Sequence, residues 1–432
     1  MIVAMRFIGQ NAGQWQVVTM NLTPDPSLDD SPTMTPTERR ASGSLASIFA
    51  LRMLGLFLVL PVFALEARKY PGGDDPALIG LAMGIYGLTQ GILQIPFGVA
   101  SDRLGRKRVI IFGLLVFAAG SALAGSADTL HELLIGRALQ GAGAVSAAVT
   151  ALLADLTRDN VRTKAMALVG ASIGLMFALS LVLSPLIAAH IGLSGLFVLT
   201  ALLALAGVVV VLWAVPAEPV IHKDAARGGL RQVLADPALM RLNLGVFVLH
   251  AVQLAMWVAI PAFLVQAGLA KDDHWQIYLP AVLASFVLMG GVFPMERRGY
   301  LRGVFLSAIA LIALVQVALL WVSSGAPSIA TLAWLLFAFF CGFNVLEATQ
   351  PSLVSRIAPA ASRGAAMGVY NTLQSLGFFA GGWMGGQLVK GYGTQGLFLT
   401  CAALMLVWLV VAWPMVAPVR TPTPSTDPSK TP

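Results

Sequence analysis

Gly98-Val99-Ala100-Ser101-Asp102-Arg103-Leu104-Gly105-Arg106-Lys107 stands between two long apolar runs, 77–99 and 109–127. With Arg108 it packs four cations and one acid into a turn too short to fold alone. A basic, glycine-containing turn between two apolar runs of about 20 residues reads as a cytoplasmic hairpin joining two membrane spans. Gly98 has no side chain, so another helix can approach it closely. Asp102 is an acid at the end of a span and can sit against the positive N-terminus of a neighbouring helix. Arg106 calls for an anionic partner, and Asp155, at the inner end of the fourth apolar run, is the natural candidate.

The rest of the chain agrees with a membrane setting. Hydrophobic residues make up 57% of the 432 residues and charged ones 11%, less than half the charged share of a soluble domain. A net charge of +7 on such a chain reads as orientation charge rather than as a nucleic-acid footprint. Cys341 and Cys401 lie in apolar runs and read as small buried hydrophobes.

Twelve apolar runs can be counted: 46–66, 77–99, 109–127, 130–153, 164–189, 194–215, 242–266, 276–294, 303–323, 328–354, 364–388 and 395–416. The only long internal polar stretch, 216–241, divides them into two bundles of six, 45–215 and 242–416. Residues 1–44 and 417–432 are rich in Pro, Thr, Ser and Asp and read as disordered tails. With the N-terminus inside, 21 of the 27 Lys and Arg fall on the inner side. Only Arg68, Lys69, Lys271 and Lys390 fall outside. This bias places both termini in the cytoplasm.

The halves echo each other. Gly141 and Met166 recur as Gly342 and Met367 at a spacing of 201, and Asp102-Arg103-Leu104-Gly105 recurs as Glu296-Arg297-Arg298-Gly299 at a spacing of 194. A duplicated six-span unit follows, a pattern common in carriers. The expected fold is therefore an all-α integral membrane protein, with twelve transmembrane helices in two pseudo-symmetric six-helix bundles.

Gly98-x-x-x-Asp102-Arg103-x-Gly105-Arg106-Lys107 resembles motif A of the major facilitator superfamily, and Arg137-Ala138-Leu139-Gln140-Gly141 resembles its motif B. Arg52-Met53-Leu54-Gly55, Pro61, Ile85 to Gln90 and Thr163 to Met166 resemble the YajR-type branch of drug-efflux antiporters. The resemblance runs from about residue 34 to 418. It implies that Asp102 meets the start of span 11, that Arg106 pairs with Asp155, and that the hairpin latches the inner faces of the halves in one state. It implies a part for Arg137 in proton-linked movement, and a central cavity lined by spans 1, 4, 7 and 10. Two departures stand out. That branch carries a soluble domain after span 12, whereas this sequence ends at Pro432. The antiporter motif of span 5 should read Gly-Pro and then Gly-Gly, but the residues are Ser184-Pro185 and Ala188-Ala189.

Charged and polar residues inside spans mark candidate function, because burying them is costly. Arg137 shares a face with Gln140, and its alternative is a structural arginine held by carbonyls. Arg52 has a choice between snorkelling to the inner surface and binding a ligand. Glu347 is the only carboxylate well inside the second half and is a candidate proton carrier; its alternative is permanent pairing with a cation or a hydrogen bond from Asn344 on the same face. His250 is a further candidate, because histidine titrates near neutral pH. Tyr86, Gln90 and Gln94 line one face of span 2, His250, Gln253 and Trp257 one face of span 7, and Asn371 and Gln374 one face of span 11. Such polar stripes avoid lipid and face a cavity or another helix. Met256, Trp257, Phe339, Phe340 and Phe343 suggest a partly aromatic lining. Glycines at 80, 84, 87 and 91 and at 377, 381 and 385 read as close-packing faces.

Gly170-Ala171-Ser172-Ile173-Gly174 matches the hydrolase Gly-x-Ser-x-Gly pattern, but it lies inside a span with no strand before it. No metal-binding motif or phosphate loop occurs. The expectation is a carrier rather than an enzyme, without cofactor or metal. It is driven by the proton gradient, acts as a monomer in the bacterial inner membrane, and exports small amphipathic compounds. The alternatives are an uptake symporter or facilitator for a small polar metabolite, and a transport-inactive sensor or assembly partner.

Overall fold

The computed structural model describes residues 33–218, 229–359 and 362–415. The remainder of both expected tails, and His222, Lys223, Asp224 and Arg227 of the expected linker, lie outside the described residues. So do the side chains of Glu296 and Arg297.

The described chain is helical, with no strand. The first half comprises α1 (Pro36–Glu66), α2 (Pro76–Leu104), α3 (Arg106–Gly125), α4 (Leu130–Ala142), α5 (Ser146–Asp155) and α6 (Asp159–Trp213). A short α7 (Leu230–Ala235) leads to the second half, made of α8 (Pro237–Gln266), α9 (Trp275–Met295), α10 (Leu301–Val322), α11 (Ile329–Ile357) and α12 (Arg363–Ala412). The helix starts follow local rules. Thr35 and Thr129 close capping boxes with Glu38 and Glu132, and Asp75, Asp236 and Ser328 accept from the first free N–H groups.

Nine described helical stretches are long and apolar enough to cross a membrane. Two of them, α6 and α12, run for 55 and 50 residues and turn back within themselves, at Gly192 and Gly393. Counting both arms of each and adding α9 gives the twelve-helix architecture.

The duplication is written in the backbone. Every positive-φ residue described is a glycine, and they form three pairs: Gly72 with Gly268 (+91° and +92°), Gly105 with Gly299 (+99° and +91°), and Gly192 with Gly393 (+65° and +66°). The last pair keeps the 201-residue spacing of Gly141 and Gly342. A side chain at such a φ is strained, so the same three turns are made the same way in each half.

Three expectations need correction. The N-terminal tail gives way to helix at Pro36 rather than near residue 45, because Thr35 and Glu38 cap it. The expected linker is partly helical, and α8 starts at Pro237 under the Asp236 cap rather than at 242. The fourth span is broken: α4 stops at Ala142 and α5 begins at Ser146. At the break Gly143 presses on α3, where a Cβ would collide with the Gly113 carbonyl and the Phe117 backbone.

The halves meet at the end away from the basic hairpin. There α2 lies on α12 so closely that a Cβ on Gly84 would stand 2.7 Å from the Phe379 carbonyl, and Gly80 and Gly87 face Gly382 and Ser375 in the same way. Towards the basic end they part. A Cβ on Gly98 would meet only Ala147 of its own half, and Gly364 and Gly368 of α12 have nothing within 4 Å. The space between the bundles is thus closed at one end and opens at the end bearing the hairpin.

Candidate transport site

The basic hairpin is held by its own half. Arg106 Nε donates to Asp155 Oδ2 at 3.0 Å and Nη1 to Ser101 Oγ at 2.8 Å, while Nη1 also pairs with Asp102. Gly105, in its left-handed conformation, turns the backbone so that the N–H groups of Arg106 and Lys107 both donate to the Glu218 carboxylate. Lys107 Nζ reaches the Val215 carbonyl at 2.7 Å. Arg103 is exposed. Glu218 was not foreseen, and nothing in its local sequence marks it.

In the core of the first half, Arg137 spends all three guanidinium nitrogens on neutral partners. These are the Ala82 carbonyl, the Met83 carbonyl at 3.2 Å and Gln140 Oε1 at 2.6 Å. Gln140 in turn donates to Ser121 Oγ at 2.8 Å. Gly141 lets α4 lie against the Tyr86 carbonyl of α2. Arg52 does not snorkel. It is 1% exposed, donates to Ser146 Oγ at 3.0 Å and to Tyr86 Oη at 2.6 Å, and sits over the Phe117 ring. Three neutral groups face it and draw it inward.

In the second half, residues from three helices converge. His250 Nδ1 lies 2.8 Å from the Val246 carbonyl. A carbonyl cannot donate, so Nδ1 carries the hydrogen, and Nε2 of the neutral ring is an acceptor. The Gln374 amide donates to that Nε2 at 2.8 Å and to Glu347 Oε1 at 3.3 Å. Glu347 Oε2, itself buried and without a hydrogen-bond donor, stands 3.3 Å from His250 Nε2. Two acceptors thus face one another across a gap that one proton would bridge. The Glu347 side chain is 37% exposed and the His250 side chain 2%. The expected bond from Asn344 to Glu347 is not made, because Asn344 donates instead to Ser285 Oγ of α9 at 2.8 Å.

Trp257 packs edge-on against Tyr278, and with Met256, Ile260, Leu336, Phe339 and Phe340 it lines a small apolar pocket. Gln253 is buried with its carbonyl oxygen unpartnered, whereas Gln90 and Asn371 are half-buried. Phe177 of α6 reaches across to Phe340 and Phe343, so aromatic rings of both halves meet.

At the closed end, two ion pairs join half to half. Glu66 Oε1 binds Lys271 Nζ at 2.9 Å while Oε2 holds Lys69 at 2.7 Å, and Asp75 Oδ2 binds Lys390 at 2.8 Å. The Lys390 bond draws the Asp75 carboxyl below the usual carboxylate range, and the Glu66 bond pushes the Lys271 ammonium above the usual lysine range. These four partners were missed as site residues. Among the described residues no cluster of His, Cys, Asp and Glu could hold a metal ion.

Residues 45–382 and 295–432 match the family model described as Major Facilitator Superfamily. The chain belongs to that superfamily. As a member it is a multi-pass membrane transporter and not an enzyme. It is 44% identical over 397 residues to the inner membrane transport protein YajR of Escherichia coli K12, covering 89% of this chain and 85% of that one. It is 27% identical to the multidrug resistance protein MdtH of Aeromonas hydrophila, covering 79% and 85% of the two chains. The superfamily fold is equally clear in a D-xylose-proton symporter structure, at a TM-score of 0.71 and 15% identity over 87% of this chain and 98% of that one.

Proposed function

We propose that this transporter exports small amphipathic compounds from the cytoplasm in exchange for protons, by alternating access, as a monomer in the bacterial inner membrane with both termini inside. The observation that carries the reading is the pair of facing acceptors, Glu347 Oε2 and His250 Nε2. A proton entering there lands on the carboxylate or on Nε2 and converts a 3.3 Å gap between acceptors into a hydrogen bond. That changes how α8, α11 and α12 are tied together, which is what coupling requires. The likeness to proteins named for multidrug resistance supports export, and the aromatic rings of both halves suit apolar cargo.

The basic end faces the cytoplasm on the strength of the Lys and Arg count, so the conformation described is inward-open. In the opposite state the hairpin, with Asp102, Arg106 and Asp155, serves as the latch that closes the inner end. Ser184-Pro185 and Ala188-Ala189, in place of the antiporter motif, favour a second reading, proton-coupled uptake.

The test is expression in a strain lacking its main efflux pumps, with resistance to a compound panel and compound-induced proton flux in inverted vesicles as readouts. Export predicts resistance that Glu347→Gln abolishes at unchanged protein level. Wild-type expression that protects against no compound, or accumulation in place of expulsion, sinks the export reading.

A further inference from the structure

Arg52 carries a charge that none of its recorded partners neutralises. It stands at the middle of the 31-residue α1, among Ser146, Tyr86 and Phe117, and its Nε donates to nothing. Arg137 is the useful contrast, because all three of its nitrogens are occupied. An arginine in mid-membrane without a counter-charge costs several kcal/mol, so an unoccupied donor on it is informative.

A second observation points to the same spot. Ser146, which receives the Arg52 bond, is the first residue of the ten-residue α5. Val145 cannot cap that helix, and the N–H groups of Ser146, Ala147 and Ala148 find no acceptor among the described residues. A helix start with free N–H groups carries a partial positive charge and attracts anions. Here it opens inside the membrane beside a guanidinium, two positive features that repel unless something negative lies between them. The duplicated fold does not demand this break. In the second half, α11 runs unbroken through Gly342 and Asn344.

We propose that Arg52, Ser146 and the start of α5 form an anion site that holds the carboxylate of the transported compound. This rests on the reading of the chain as a carrier of small amphipathic compounds and narrows their class to amphipathic carboxylates. Arg52 Nη1, beside Ser146, and the N–H groups of α5 take the carboxylate oxygens. Tyr86 holds Nη2, on the guanidinium edge that Nε shares, and Ser146, the least covered of the three side chains at 8% exposure, gives access.

The test compares two probes of the same shape, 1-naphthoate and its neutral amide 1-naphthamide, by equilibrium binding to the purified full chain in lipid nanodiscs. Naphthoate should bind about ten-fold or more tightly than the amide, the worth of a charge-assisted hydrogen bond. Arg52→Gln should erase that preference, Arg52→Lys should keep part of it, and Ser146→Ala should reduce it. The lysine and alanine variants keep the test alive if Arg52→Gln does not fold. Equal binding of the two probes to the wild type, no naphthoate binding, or naphthoate preference untouched in all three variants overturns the site. Equilibrium binding needs neither a gradient nor a direction. Absent efflux with intact naphthoate preference therefore counts against export alone, and efflux of neutral compounds without the preference counts against this site alone.

Discussion

At Glu347 and His250 the prediction concerns one proton. Glu347→Gln places an amide where the carboxylate faced the ring, and its N–H can donate to His250 Nε2 permanently. Compound-induced proton flux should fall to background while binding of the compound persists. His250→Gln should slow flux without abolishing it, because the carboxylate remains. Flux at the wild-type rate in Glu347→Gln removes that residue from the proton path. The Arg106–Asp155 pair makes a separate prediction. The two side chains are 11% and 25% exposed, and reversing one charge leaves two like charges at the hinge of the hairpin. Asp155→Arg should cut transport by about ten-fold or more, and the swap with Arg106→Asp should restore part of it. An unrestored swap leaves the pair without a role in movement. Glu347 and Arg106 were each readable in the sequence as charges in unusual places, and Asp155 as the partner of Arg106. Gln374 was readable as a polar residue of span 11 but not as the donor to Glu347, and Glu218 was not readable, because nothing local marks a contact between segments so far apart in the chain.

At the scale of elements, the interface of α2 with α12 is a surface sensitive to volume. A Cβ on Gly84 would sit 2.7 Å from the Phe379 carbonyl and 3.3 Å from the Gly382 Cα. Gly84→Val should therefore cost the closed end about 1–3 kcal/mol and shift the protein towards the state open at that end. Distances between spin labels on α2 and α12 should lengthen there, and unchanged distances would show that the interface yields. The glycine stripes were legible because close helix packing in lipid selects small residues. The break between α4 and α5 was not. Gly290-Gly291 in α9 and Gly381-Gly382 in α12 run on as helix, so glycines alone do not end one. The decision rests on the pressure of α3 on Gly143, which is a tertiary fact.

For the whole molecule, two ion pairs tie half to half at the closed end. Glu66→Gln with Asp75→Asn removes both carboxylates, and the lysines, partly exposed, return to water. The closed end should lose on the order of 1–3 kcal/mol after allowance for that exposure, roughly 5- to 150-fold in population. The pairs should also be indifferent to mild acid. A carboxylate held below its usual range contributes above that range and fades only as pH falls through the lowered value. An ammonium held above its usual range fades only as pH rises through the raised value. Asp75 and Lys271 are of these two kinds, so both pairs stand between about pH 5 and pH 9. Spin-label distances at this end should therefore not lengthen through loss of these pairs across that window. A lengthening within it that vanishes in the Glu66→Gln, Asp75→Asn variant would show that the pairs themselves titrate there. Twelve spans and two bundles could be read from the sequence because the bilayer imposes their length. Lys69, Lys271 and Lys390 could have been read as well: they are exceptions to the charge rule that oriented the chain.

The glycine turns at 192 and 393 have an outcome of a different kind. They reverse the chain with almost no connecting loop, and two of the other connections at the closed end, 126–129 and 323–328, are short. A tight protein binder needs roughly 800 Å² on each partner, and this face offers few protruding segments to supply it. An antibody fragment raised against the purified carrier in lipid nanodiscs and selected for this end should meet mainly 67–75 and 267–274, the connections that carry Lys69 and Lys271. A binder seated there would grip one half of an ion pair and could hold the carrier in a single state.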